Sequence, residues 1–226
     1  MRLKGVFCFF ILSVTALMAQ PGLPIADPGS VGMAPERLAR IDSIVDEAIK
    51  LGEIPGAVVL VARQGHIVYR KVFGHRALVP EPEPMTEDTI FDAASLTKVV
   101  ATAPAVMILV EDGKLSLTDT VASYIPDFAK HEKGRITLLQ LLTHYSGLRP
   151  DLDLDKPWVG YDTAISLACE EKLVARPGEK FIYSDINYFL LGDIVQRVTG
   201  QTLHQFTTER IYGPLGMTDT GFQPDL

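Results

Sequence analysis

Apolar residues recur at helical spacing through Leu38, Ile41, Val45 and Ile49 and predict an amphipathic helix over 35–51. The pattern then changes period. Residues 57–63 and 66–73 form two runs rich in β-branched and aromatic side chains, separated by Gln64-Gly65, and predict a hairpin. The stretch 99–110 is apolar nearly all round, which predicts a helix buried on every side and too short to cross a bilayer. Pro104 should kink it or mark a close approach, and Asp112-Gly113 should end it. Further helices are predicted at 98–112, 137–143, 162–169, 187–199 and 203–211; Leu190, Leu191, Ile194 and Val198 carry the fourth of these and Gly200 stops it. The expected fold is α+β, a helical region packed on an antiparallel sheet that begins at the hairpin.

Arg2 and Lys4 precede an apolar run over 5–19, followed by Gln20-Pro21-Gly22. That pattern reads as a secretory signal peptide at 1–19, with an uncleaved membrane anchor as the alternative, and places the protein in the periplasm or outside the cell. Residues 20–34 then read as a Pro/Gly-rich linker, 35–226 as one domain, and the acidic, proline-rich stretch 80–84 as a solvated loop. Cys8 falls within the signal, so Cys169 would have no intrachain disulfide partner; its apolar neighbours predict a small buried side chain.

Charge removes several function classes. With 28 acidic against 21 basic residues and a net charge of −7, no basic stripe is present and nucleic acid is not an expected partner. The five histidines lack metal-ligand spacing, His131-Glu132 has no second zinc-binding histidine, and Lys156 stands where a calcium loop begun at Asp151 requires glycine. There is no Gly-x-Ser-x-Gly elbow and no phosphate-binding glycine pattern. Neither metal nor cofactor is expected.

What remains is nucleophilic chemistry. Ser95-Leu96-Thr97-Lys98 puts a hydroxyl and an amine one helical turn apart, on one face. Lys98 can accept the Ser95 proton only if its pKa is lowered, and burial beside an apolar helix would do that. Asp92 is a candidate N-cap that would place Ser95 in a first turn, where amides and the helix dipole favour an alkoxide. Tyr183, in the turn before the 187–199 helix, is either a packed residue or a phenol beside an ammonium and hence a proton shuttle. His144-Tyr145-Ser146-Gly147 offers a Ser/His pair, but its position at a helix end reads instead as a structural turn.

These motifs stand in IPGAVVLVARQGHIVYRKVFG, FDAASLTKVVAT, LLTHYSGL, FIYSDINYFLLGDIVQRVTG and IYGPLGMTDTGF. In that order, from about Ala34 to Leu226, the chain resembles the serine β-lactamase and penicillin-binding-protein superfamily, specifically its class C-like branch with D-aminopeptidases, DD-carboxypeptidases and carboxylesterases. The resemblance implies Ser95 as acyl-accepting nucleophile, Lys98 as its partner and Tyr183 as the shuttle to the leaving group. Asp185 and Asn187 are then the candidate substrate-binding residues. Asp185 replaces the asparagine usual in the lactamases of this branch; it should pair with Lys98 and repel a substrate carboxylate, which favours an ester or peptide over a lactam. Asn187 either faces substrate or caps the helix. The family's third motif, Lys-Thr-Gly or His-x-Gly, and the strands and oxyanion donor around it do not occur before Leu226, so the resemblance covers the N-terminal portion of the domain. The expected function is exported serine hydrolysis of an ester, D-peptide or β-lactam through an acyl-enzyme; the alternative is a non-catalytic fragment or binding module.

Overall fold

A two-residue turn with both φ angles positive, at Gln64 (51°) and Gly65 (75°), folds the first apolar runs into a hairpin whose twist matches its strands. The computed structural model describes residues 22–153, 155 and 157–222; the expected signal peptide, with Arg2, Lys4 and Cys8, lies outside the described residues. Contacts divide the chain into two units between Ile90 and Phe91.

In the first unit, the predicted helix is broken at Ala39 into α1 (Pro35–Leu38) and α2 (Arg40–Lys50). Strands β1 (Gly56–Arg63) and β2 (His66–Ala77) pair antiparallel from Gly56↔Gly74 to Arg63↔His66, with an irregularity between Val61 and Ala62. One expectation is corrected. The acidic proline-rich stretch is not wholly a loop, because β3 (Glu83–Pro84) pairs with the end of β2, and Arg76 there meets Glu83 at 2.7 Å. Proline lacks an amide donor and is tolerated at such an edge. The segment read as a linker is also partly docked: Ile67 donates its amide to Pro24 O at 2.8 Å, Ala26 donates to Ile67 O at 3.0 Å, and Val31 is buried with Leu38 and Val68. An apolar side chain with a core within reach is more stable against it than in water.

The second unit is helical. Its centre is α6 (Asp185–Thr199), whose Ile186, Leu190, Leu191, Ile194 and Val195 are fully buried. Around it pack α3 (Ala103–Glu111), α4 (Leu138–Leu142), α5 (Tyr161–Glu170) and α7 (Leu203–Thr207), followed by α8 (Gly213–Leu215). Asp185 in the first turn and Arg197 in the last complement the α6 dipole, and Gly200 closes the helix in the left-handed region at φ 74°. Capping boxes start α4 (Thr137/Gln140) and α7 (Thr202/Gln205). Lys133 is buried against the end of α5; its ammonium lies 5.1 Å from the Phe128 ring centroid and donates to Cys169 O at 2.7 Å and to Glu171 O. Cys169 is buried as the sequence suggests.

The segment leading into α3 departs from prediction. Ser95 sits in a 3-10 turn (Ala94–Leu96) and Lys98–Thr102 is a π-helical stretch; α-helix proper starts only at Ala103. Pro104 therefore occupies the first turn of α3, where a missing amide removes no α-helical hydrogen bond. Nor is the helix buried on every side. Ala101, Ala105, Val106 and Leu109 face the core, whereas Val99 and Met107 are exposed.

Candidate active site

The chain reverses sharply just before Ser95. Asp92 Oδ1 accepts the Ala94 amide at 2.8 Å, and Ala94 is held in the left-handed region at φ 42°. A residue with a Cβ is strained there, by about 1–3 kcal/mol, and such strain concentrates at functional turns. Asp92 thus ties the approach turn rather than capping one long helix. Ser95 follows in the first turn of the 3-10 segment, where backbone amides have no intrahelical acceptor and can receive an oxyanion. The π stretch then begins at Lys98, whose ammonium donates to Ser95 Oγ at 3.1 Å.

Lys98 is not the neutral amine that burial alone predicts. Its side chain is 13% exposed and its Nζ lies 2.5 Å from Asp185 Oδ1 at the start of α6. That carboxylate oxygen is buried and meets no donor at a hydrogen-bonding angle; its partner is the Lys98 charge. Burial pushes the Lys98 pKa down, but the Asp185 carboxylate and Tyr183 phenol outweigh it and hold the ammonium above its ordinary value. The ion pair with Asp185 thus opposes the neutral amine that a proton-accepting Lys98 would require.

Tyr183 is shifted in the opposite sense to Lys98. Hydrogen bonding to the Ser95 hydroxyl, and next to the Lys98 ammonium, lowers its phenol pKa below 10. Lys98 Nζ stands 4.9 Å from the Tyr183 ring centroid and 5.6 Å from that of Tyr188. Ser95, Lys98, Tyr183 and Asp185 are thus one constellation. A cavity of about 1040 Å³ opens beside it, lined by Ser95, Lys98 and Asp185 and continuing past Phe189, Gly192 and Leu203.

Asn187 stands apart, and its expected roles are corrected. Helix α6 already begins at Asp185, so Asn187 does not cap it, and the residue is fully buried rather than facing substrate. Its Oδ1 accepts from Ser146 Oγ at 2.6 Å and its Nδ2 lies 3.2 Å from His144 Nδ1. The 144–148 turn is in turn stitched to the segment carrying Tyr183. Ile182 donates to His144 O at 2.9 Å, Gly178 to Tyr145 O at 2.7 Å, and Val174 to Gly147 O at 2.9 Å. At Gly147 φ is 80° and a Cβ would fall 2.2 Å from Ala175 O, so only glycine permits this approach. His144, which the sequence places in a structural turn, has its ring stacked on Tyr183.

Comparison with known proteins identifies the family and the fold. The profile of the β-lactamase family matches residues 41–226. A curated relative from Escherichia coli K12, named "Putative D-alanyl-D-alanine carboxypeptidase", is 36% identical over 228 residues, covering 91% of this chain and 52% of the relative. Among solved structures, the octameric penicillin-binding protein homologue from Pyrococcus abyssi aligns at 32% identity and TM-score 0.72 over 80% of this chain and 43% of its own. EstCE1, a hydrolase with promiscuous acyltransferase activity, aligns at 29% identity and TM-score 0.70 over 79% and 51%. The chain spans about half the length of the curated relatives it matches.

Proposed function

The chain belongs to the β-lactamase family, and on that premise we propose that it is a serine hydrolase acting through an acyl-enzyme on an ester or amide. One observation carries the reading: on the wall of the cavity Ser95 Oγ accepts a hydrogen from Lys98 at 3.1 Å, which leaves the serine's own hydrogen for a base, and Tyr183 is the candidate whose pKa is lowered beside it. Tyr183, ionised, takes that proton as Ser95 attacks the substrate carbonyl, and the Lys98 ammonium stabilises the charge on both oxygens. The Ser95 amide receives the carbonyl oxygen as it becomes an oxyanion. Tyr183 then returns the proton to the leaving group, and water attacks the acyl-enzyme by the same route. Mixing the chain with a p-nitrophenyl ester should release a burst of about one p-nitrophenolate per Ser95 before slower turnover. Linear Ser95-dependent release without a burst would mean that acylation limits turnover, whereas no release above a Ser95→Ala control would favour a non-catalytic binding module.

Asp185 supports a neutral substrate. Its carboxylate lines the cavity beside Ser95 and opposes a carboxylate on the substrate, so a neutral ester is preferred over a chromogenic cephalosporin, which carries one. Asp185→Asn should narrow that preference. It should also move the alkaline limb of kcat/KM. Asp185 holds the Lys98 pKa above its ordinary value, so the proton Lys98 must keep is lost late as pH rises; without that carboxylate burial is opposed by Tyr183 alone, and the limb should move to lower pH. An unmoved limb would mean that Lys98 does not govern it.

Export is the accompanying proposal, supported by Arg2, Lys4 and the apolar run over 5–19. N-terminal sequencing of extracytoplasmic protein should begin between residues 17 and 21, whereas an intact Met1 on membranes would indicate an anchor.

A further inference from the structure

His144 occupies a position where glycine is the usual residue. Helix α4 ends in a Schellman motif, with Tyr145 donating to Gln140 O at 2.8 Å and His144 donating to Leu141 O at 3.1 Å. The left-handed residue of that motif is His144, at φ 60°. A Cβ there costs about 1–2 kcal/mol that glycine would avoid. The histidine is moreover buried, at 8% exposure, which few imidazoles are without fixed partners.

Those partners are fixed. Nδ1 lies 3.0 Å from the Ser184 amide, which donates to it, and 3.2 Å from Asn187 Nδ2. Two donors on Nδ1 require its lone pair, which places the ring hydrogen on Nε2. Asn187 is itself held through Oδ1 by Ser146, so the imidazole is anchored by the residue after Tyr183 and by a buried amide of α6. The locked ring stacks on Tyr183 with centroids 4.5 Å apart and planes at 30°. Tyr188 lies tilted beside it at 5.3 Å and Phe181 meets it edge-on at 5.8 Å.

We propose that His144 is a positioning residue for Tyr183: its anchored ring is the platform that holds the phenol against Ser95 and Lys98. Tyr183 is itself 44% exposed and follows an irregular segment; the Lys98 ammonium lies against its ring at 4.9 Å, and the His144 ring is the aromatic surface that stacks on it. The ionisable groups facing this stack are Lys98 from the π stretch and Asp185, Tyr183 and Tyr188 from the α6 side. Burial, and next the Lys98 charge, lower the His144 pKa and keep the ring neutral, as an accepting Nδ1 requires.

The test separates platform from scaffold with two variants of the full chain. His144→Asn keeps a side-chain acceptor and tolerates the left-handed backbone but has no ring; His144→Phe keeps a ring but no acceptor. Circular dichroism first establishes that each is folded. Tyr183 ionisation is then read from ultraviolet phenolate absorbance, as the difference between each background with and without Tyr183→Phe. In His144→Asn the phenol slips from Ser95 and Lys98, and its pKa should rise by about one pH unit. His144→Phe should restore much of that shift. The kinetic arm rests on the serine-hydrolase reading: kcat on a p-nitrophenyl ester should fall about 10- to 100-fold in His144→Asn with KM within about twofold, the scale of a small misplacement. Because the titration needs no turnover, a shifted phenol in an inactive chain would support the platform while removing the hydrolase reading. An unshifted phenol in folded His144→Asn would overturn the platform, whatever happened to stability.

Discussion

Ser95→Ala is expected to abolish covalent labelling by a fluorophosphonate probe, with intact-mass analysis showing one adduct on the parent chain and none on the variant. Three serines lie in or near the constellation, and their surroundings decide among them. Ser146 is fully buried, donates to Asn187 Oδ1 at 2.6 Å and accepts from the Leu148 amide at 3.1 Å, so neither its proton nor its oxygen is free. Ser184 is equally buried and gives its hydrogen to Arg149 O at 2.6 Å. Only Ser95 combines a place on the cavity wall, an ammonium at 3.1 Å and a phenol of lowered pKa. Those conditions turn a weak nucleophile into a reactive one. Peptide mapping that placed the adduct on Ser146 or Ser184 would mean that the turn opens in solution and that Ser95 has been misassigned.

How far the sequence disclosed this site follows from the range of the interactions involved. The Ser95/Lys98 pair was legible because both residues lie within one turn, and helical periodicity exposed the buried face of α6 through Leu190, Leu191, Ile194 and Val198. The Gln64-Gly65 hairpin was legible for the same local reason. The protonation state of Lys98 was not. It is the balance of burial against a carboxylate on another helix, and neighbouring residues do not reveal which wins. The π stretch was hidden too, since a single residue of slippage in a helix leaves little trace in hydropathy. Asn187 misled because asparagine near a helix start usually caps, and only the approach of Ser146 and His144 consumes its amide. For His144 a faint signal did exist, a bulky residue instead of glycine where α4 stops. Its meaning needed the position of Tyr183.

The second large effect separates the two candidate proton acceptors beside Ser95. Tyr183→Phe and Lys98→Ala should each slow acylation by on the order of 10² to 10⁴, the usual scale for loss of a proton-transferring or charge-stabilising group. Their pH profiles should differ. In the parent chain kcat/KM should rise with pH as the phenol ionises, and that acid limb lies below 10 because the Ser95 hydroxyl and Lys98 ammonium lower the Tyr183 pKa. Lys98→Ala removes the cation and leaves Asp185, whose charge raises the phenol pKa, so the limb should move to higher pH. Tyr183→Phe keeps a ring for stacking on His144 and for the Lys98 cation but has nothing to ionise; its residual rate should lose the limb altogether. The assignment of the base turns on that last profile. If Tyr183→Phe retained the parent's acid limb, the ionising group would be Lys98 after all, and its ion pair with Asp185 would have to open before Ser95 could react.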